Sequence, residues 1–185
     1  WYFVPVAITA SILPALVNSK KLGTNVYESR LQQLYDFLVW IALVIAVVLT
    51  FCANPLIRFL FGDVYAGAGV ILAIHIWAGI FVFMREALGK WLITEGFMKF
   101  FLISNGLGAV VNVVMNLYLI PAYGGVGAAV ATVVSYAMAG YISCFTYPKT
   151  RLAGRMMSLA LIVPLRSALK IAGSVRNSDG AGWGR

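Results

Sequence analysis

The sequence predicts an all-α, polytopic transmembrane helix bundle of five spans, and three observations carry that prediction. The 185-residue chain is 62% hydrophobic and 11% charged, where a soluble domain is about 45–50% apolar; its mean hydropathy is +0.90. The apolar residues run in stretches of about 20, the length that crosses a hydrocarbon core about 30 Å thick. The basic residues gather at the ends of those stretches, where the orientation signal of a membrane protein lies.

The first span covers residues 1–17 and opens at Trp1 inside an apolar run, so the chain is expected to be a piece that lacks its N-terminal portion. It ends over Pro14 to Asn18 and is followed by a polar loop from Ser19 through Lys20, Lys21 and Glu28 to Arg30. The second span, 37–57, reads FLVWIALVIAVVLTFCANPLI and ends at Asn54-Pro55; a short loop runs from Arg58 to Tyr65. The third, 67–94, is unusual in carrying His75, Arg85, Glu86 and Lys90 before Glu95-Gly96 closes it.

The fourth and fifth spans, 100–120 and 124–147, form a helical hairpin. Pro121 stops the first arm and Gly124-Gly125 let the second begin at once, in a connection without charge. Beyond it, Met156 to Leu165 is only ten apolar residues and contains Pro164. That is too short for a span and suits a helix lying on an anionic inner leaflet. Ser174 onward is Gly/Ser-rich and expected to be disordered. The chain thus divides into a transmembrane unit, 1–152, and a basic cytoplasmic tail, 153–185.

A net charge of +8 could suggest nucleic acid, but the basic residues are arranged as span-end clusters and not as a continuous patch, so no nucleic-acid partner is expected. With the first loop cytoplasmic, the sides alternate. Lys20, Lys21, Arg30, Arg85, Lys90, Lys99 and the seven basic residues from Lys149 onward then fall inside, and of the 14 basic residues only Arg58 falls outside. This asymmetry predicts a cytoplasmic C-terminus. Cys52 and Cys144 lie in or beside apolar spans and are expected to be small packing residues, not a disulfide or metal site. No Ser/His/Asp set and no cluster with metal-ligand spacing is visible, so neither catalysis nor a cofactor is expected. Short outer loops also leave little room for the active site of a polymerase or ligase.

Two helical stripes could carry polar chemistry. On an unbroken third span, Gly79, Glu86 and Lys90 fall within about 60° of His75, and Glu86 and Lys90 stand i,i+4 in the favourable order for an ion pair. Ionisable groups at such depth face protein or a water-filled cavity; the alternative is that Arg85 and Lys90 simply snorkel to the inner surface. On the fourth span Asn105, Asn112 and Asn116 lie within about 20° of one line. Those amides can hydrogen-bond a neighbouring helix or a sugar. The fifth span offers two small-residue seams, Gly124-x3-Ala128-x3-Thr132 and Ser135-x3-Ala139-x3-Ser143, for close helix contact.

Asn112-x3-Asn116-Leu117-x-Leu119-Ile120-Pro121-x-Tyr123-Gly124-x2-Gly127-Ala128-Ala129-x-Ala131-Thr132 resembles the C-terminal half of bacterial Wzx-type polysaccharide flippases, in the superfamily that also holds MATE drug exporters and lipid II flippases. The stretches Ile74 to Val82 and Lys90 to Ile93 look similar too, whereas Arg85-Glu86 departs from the small and apolar residues expected there. The resemblance implies a MATE-like bundle of about twelve helices in two halves, of which these five spans are the last, working by alternating access. It further implies export of polyprenyl-diphosphate-linked oligosaccharide across the bacterial inner membrane for O-antigen or exopolysaccharide synthesis, beside polymerase or assembly proteins. Candidate substrate contacts are then Arg85, Lys90, His75, Glu86, Asn105, Asn112 and Asn116. A MATE-type cation exporter and a non-transporting scaffold are the alternatives.

Overall fold

A computed structural model describes residues 2–163 and Arg166. Among them every regular element is helical: α1 (Phe3–Ser19), α2 (Thr24–Phe61), α3 (Ala68–His75), α4 (Ala78–Thr94), α5 (Met98–Gly140) and α6 (Arg151–Leu161), joined by short 3-10 turns. Four helical stretches, Phe3–Leu22, Thr24–Phe61, Ala68–Thr94 and Met98–Phe145, are long and apolar enough to cross a membrane.

The fourth of these is folded back on itself. Gly124, at φ 57° and ψ −135°, breaks α5 into two arms, a conformation that only glycine adopts without strain. Contacts between the arms run in antiparallel register: Gly127 lies on the Leu119 carbonyl, Asn112 Nδ2 donates to Ser135 Oγ at 3.2 Å, and Gly108 packs on Ala139 and the Ser135 carbonyl. The predicted hairpin is therefore present, with two corrections. The first arm stays helical through Pro121 to Tyr123, because proline's φ is itself helical and only one backbone bond is forgone. The second arm ends at Gly140, seven residues short of the expected boundary, where Tyr141 leaves helical geometry and a 3-10 turn, Ile142–Phe145, follows.

Two other boundaries differ. The polar stretch after Ser19, expected as a loop, is mostly helix: Gly23 at φ 116° makes the turn, and α2 starts at Thr24. Its first turns bury Tyr27, Leu31, Leu34, Tyr35 and Leu38, an i, i+4, i+7, i+8, i+11 stripe that is amphipathic and too short in apolar residues to register as a span. At 38 residues α2 is about 57 Å long. The third span bends between α3 and α4, where Trp77 N bonds Ile74 O at 3.2 Å and Ile80 N bonds Trp77 O at 3.3 Å. This i→i−3 tightening shifts the phase of everything after it.

The core is formed by α2, α4 and α6, with Tyr35, Phe83, Met84, Leu88, Leu92 and Met157 almost wholly buried. Helix α6 contains most of the segment expected to lie on a leaflet. Its Ala153, Met156, Met157 and Ala160 are buried in that core, Gln32 Nε2 donates to the Met156 carbonyl at 3.0 Å, and Tyr141 and Ser158 hydroxyls lie 2.9 Å apart. One face is thus packed on protein, while Arg151, Leu152, Arg155 and Leu159 remain exposed. The stretch from Ser174, expected to be disordered, lies outside the described residues.

The bundle has two chemically different ends. At one, Lys20 Nζ pairs with Glu95 Oε1 at 2.7 Å, Tyr27 Oη donates to the same oxygen at 3.1 Å, and Lys149 Nζ stands 5.8 Å from the Phe97 ring centre. At the other, Asn54 meets Gly69 and Ile71 meets Gly125, and the exposed Arg58–Asp63 pair spans 3.6 Å.

The arms of α5 leave no room for a side chain at Gly127. Replacing it by leucine is expected to cost about 1–3 kcal/mol through overpacking, read as a lower thermal midpoint of the detergent-solubilised chain. Gly106→Leu, at an exposed glycine with open space around its Cα, should leave that midpoint unchanged.

Candidate functional site

Where α4 meets the two arms of the hairpin, the contact is incomplete and leaves a cleft of about 350 Å³. Its walls are Arg85 from α4, Asn105, Gly108 and Asn112 from the first arm, and Thr132, Ser135, Tyr136 and Ala139 from the second. Small residues on the inner faces of the arms create the space, and polar side chains line it.

Arg85 reaches the cleft because Gly140 has no side chain. A Cβ there would stand 3.1 Å from Arg85 Cβ and 3.3 Å from the Phe81 carbonyl oxygen, so the arginine stem lies directly on the second arm. Its guanidinium carbon sits 5.8 Å from the centre of the Tyr136 ring, within reach of a cation–π interaction. Tyr136 Oη in turn accepts a bond from Tyr2 Oη at 3.2 Å, which ties the roof of the cleft to the start of α1. Arg85 Nε is buried without a hydrogen-bond partner. Among the described residues the ion pairs are Lys20–Glu95 and Arg58–Asp63, so no carboxylate neutralises Arg85.

The three asparagines share the first arm's inner face, as their spacing predicts, but do different things. Asn105 Nδ2 donates to the Phe101 carbonyl at 2.7 Å, within its own helix. Asn112 Nδ2 bridges the arms to Ser135. Asn116 Nδ2 donates to Asn112 Oδ1 at 3.0 Å, while its own Oδ1 is buried without a partner. Asn105 and Asn112 therefore line the cleft, and Asn116 supports Asn112 from beside it. An inter-arm amide bond of this type is worth about 0.6 kcal/mol, so Asn112 serves both packing and lining.

The third-span stripe is not assembled. His75, Glu86 and Lys90 are half-buried, but none lines the cleft, and no ion pair closes between Glu86 and Lys90 within 4.0 Å. The bend at Ile76–Trp77 separates His75 from the α4 register. On α4 itself Phe81, Arg85 and Gly89 face the hairpin, about 100° around from Glu86. Arg85, which fell off the predicted stripe, is thus the charged residue in the cleft. Sequence reasoning also missed Tyr136 as a wall residue, and Thr132 and Ser135 were read only as packing seams. The signal was present: Thr132, Ser135 and Tyr136 are i, i+3 and i+4, one helical face.

The cleft combines one uncompensated cation, two amides, two hydroxyls and an aromatic face. It can bind an anion at Arg85 and hydroxyl-rich groups along the asparagine side, and it holds no acid or base pair for bond-breaking chemistry. Comparison with protein-family models, with curated protein sequences and with solved structures found no match for this chain.

Proposed function

We propose that the chain is the C-terminal transmembrane part of a Wzx-type exporter that moves polyprenyl-diphosphate-linked oligosaccharide across the bacterial inner membrane. The observation that carries the reading is the cleft at Arg85. A lipid-linked oligosaccharide needs positive charge for its diphosphate, hydrogen-bonding groups for its sugars, and an apolar flank for its tail. Unpaired hydroxyls would each cost a few kcal/mol in hydrocarbon. Arg85 with its free Nε supplies the first, and Asn112, Thr132 and Ser135 the second. The exposed Leu102, Val110, Val113 and Leu117 of the first arm supply the third. A MATE-type cation exporter would favour acidic wall residues, and the cleft wall has none.

In this reading each arm of α5 is a span, which makes five, and the basic end of the bundle is cytoplasmic by the positive-inside rule. The C-terminus is then cytoplasmic and the hairpin tip external. The five spans pack in one half of a twelve-helix transporter whose alternating access exposes the cleft to each side in turn. An anion leaving a negative cytoplasm moves downhill by about 2.3 kcal/mol per charge per 100 mV, so the membrane potential itself can assist export.

Topology is the first test. A reporter fused after Tyr147 should report cytoplasm, and one inserted between Tyr123 and Gly125 should report the outside; a cytoplasmic tip would overturn the span assignment.

The second test is flux. In proteoliposomes of the complete transporter at a clamped potential, Arg85→Ala should slow arrival of lipid-linked oligosaccharide on the outer face about 10–100-fold, the worth of a charge-assisted contact. Arg85→Lys should slow it less, since the charge stays and the planar fork is lost. Asn105→Ala should have little effect, because its amide donates within its own helix. Unchanged flux in Arg85→Ala at every potential would leave the arginine as a packing residue.

A further inference from the structure

A second concavity lies at the basic end of the bundle, apart from the Arg85 cleft. It is a groove of about 560 Å³ at the turn between α4 and α5, lined by Phe97, Met98, Lys99, Phe100, Ile103 and Tyr147. Its floor is aromatic: Tyr147 stacks on Phe100 with ring centres 5.9 Å apart and meets Phe97 edge-on at 6.2 Å. Trp91 backs Phe97 at 5.9 Å.

Two lysines mark the rim. Lys99 lines the groove, and Lys149 Nζ stands 5.8 Å from the Phe97 ring centre; both residues are exposed. Glu95, a few residues before Lys99, is occupied by Lys20 and Tyr27. Neither Lys99 nor Lys149 forms an ion pair among the described residues. The groove is therefore apolar within and cationic at its mouth, where the long apolar helices end. Water-soluble anions have no use for the aromatic floor, and a neutral lipid has no use for the lysines. An amphiphile with an anionic head uses both.

We propose that this groove binds one anionic phospholipid of the adjoining leaflet, its headgroup phosphate between Lys99 and Lys149 and one acyl chain along Phe100 and Ile103. The site tethers the α4–α5 turn, and with it the base of the hairpin that walls the cleft, to the membrane surface. It depends on the chain spanning a membrane and not on what is transported, so it can fail while the transport reading stands, and the reverse.

The test uses the whole chain in detergent and measures binding of short-chain phosphatidylglycerol, phosphatidylcholine of the same chain length, and inorganic phosphate. Phosphatidylglycerol should bind saturably and phosphatidylcholine at least about tenfold more weakly, with no displacement by phosphate. Lys99→Gln/Lys149→Gln should raise the Kd for phosphatidylglycerol about 30-fold, the expected contribution of two lysines near a charged surface. Lys99→Arg/Lys149→Arg should restore most of the affinity, and Tyr147→Ala should weaken both lipids. Lys21→Gln/Arg30→Gln, which removes charge from the same end but outside the groove, should leave the Kd unchanged. An unchanged Kd in the Lys99/Lys149 glutamine variant, an equal loss in the Lys21/Arg30 variant, or displacement by phosphate would each overturn the proposal.

Discussion

The close approach of the two arms of α5 sets the geometry on which the rest depends. At Gly127 and Gly108 one arm lies on the backbone or methyl groups of the other with no side chain between them. Asn112 and Ser135 then come near enough to bond across the seam. Helices that pack through small residues gain van der Waals contact that apolar solvent cannot replace, so the hairpin is a stiff, two-armed wall. Larger side chains at these positions would push the arms apart, and neither the inter-arm amide bond nor the seat for Arg85 at Gly140 would survive. The cleft is the part of that wall where α4 does not fill the groove between the arms.

Arg85 is costly to place there. A charge removed from water loses several kcal/mol of solvation even after the protein relaxes, and no carboxylate among the described residues repays it. The Tyr136 ring recovers part, about 0.5–2 kcal/mol for a cation–π contact. Arg85 Nε is left without a hydrogen-bond partner among the described residues. That argument separates Arg85 from Lys20, whose ammonium is neutralised at 2.7 Å by Glu95 and helps tie α1 to α4. One cation is paired within the bundle; the other is not paired with a carboxylate among the described residues.

The hairpin was legible because its signals are local. A proline, two adjacent glycines and an apolar run of about 20 residues on either side name a turn wherever they occur, and the 7- and 4-residue spacings of the asparagines put them on one face of any regular helix. The start of α2 was not legible as helix, since its apolar stripe at Tyr27, Leu31 and Leu34 is diluted by Glu28, Arg30 and the glutamines until α4 and α6 cover it. The His75 stripe failed for a different reason. An angle computed over 11 or 15 residues assumes one unbroken helix, and the tightened turn at Ile76–Trp77 removes that assumption while leaving the hydropathy profile unchanged. Arg85 entered the cleft through a tertiary feature, the gap at Gly140, which no single-helix projection contains.

The position of the cleft along the hairpin links it to the charge asymmetry. Gly140, on which Arg85 rests, is 16 residues from Gly124, about 24 Å along the helix axis. Met98, where the first arm begins, is 26 residues from the same glycine, about 39 Å. Arg85 therefore sits nearer the basic end than the tip. Glu95 neutralises Lys20 there, but Lys21, Arg30, Lys99, Lys149, Arg151 and Arg155 are exposed without ion-pair partners among the described residues. An anionic headgroup approaching from that side meets a diffuse positive field first, which raises its local concentration, and only then the single fixed guanidinium under Tyr136. Surface lysines attract without orienting, whereas a planar arginine held by its stem orients what it binds. In the proposed export reading, the two kinds of positive charge stand in the order in which an anionic amphiphile would need them.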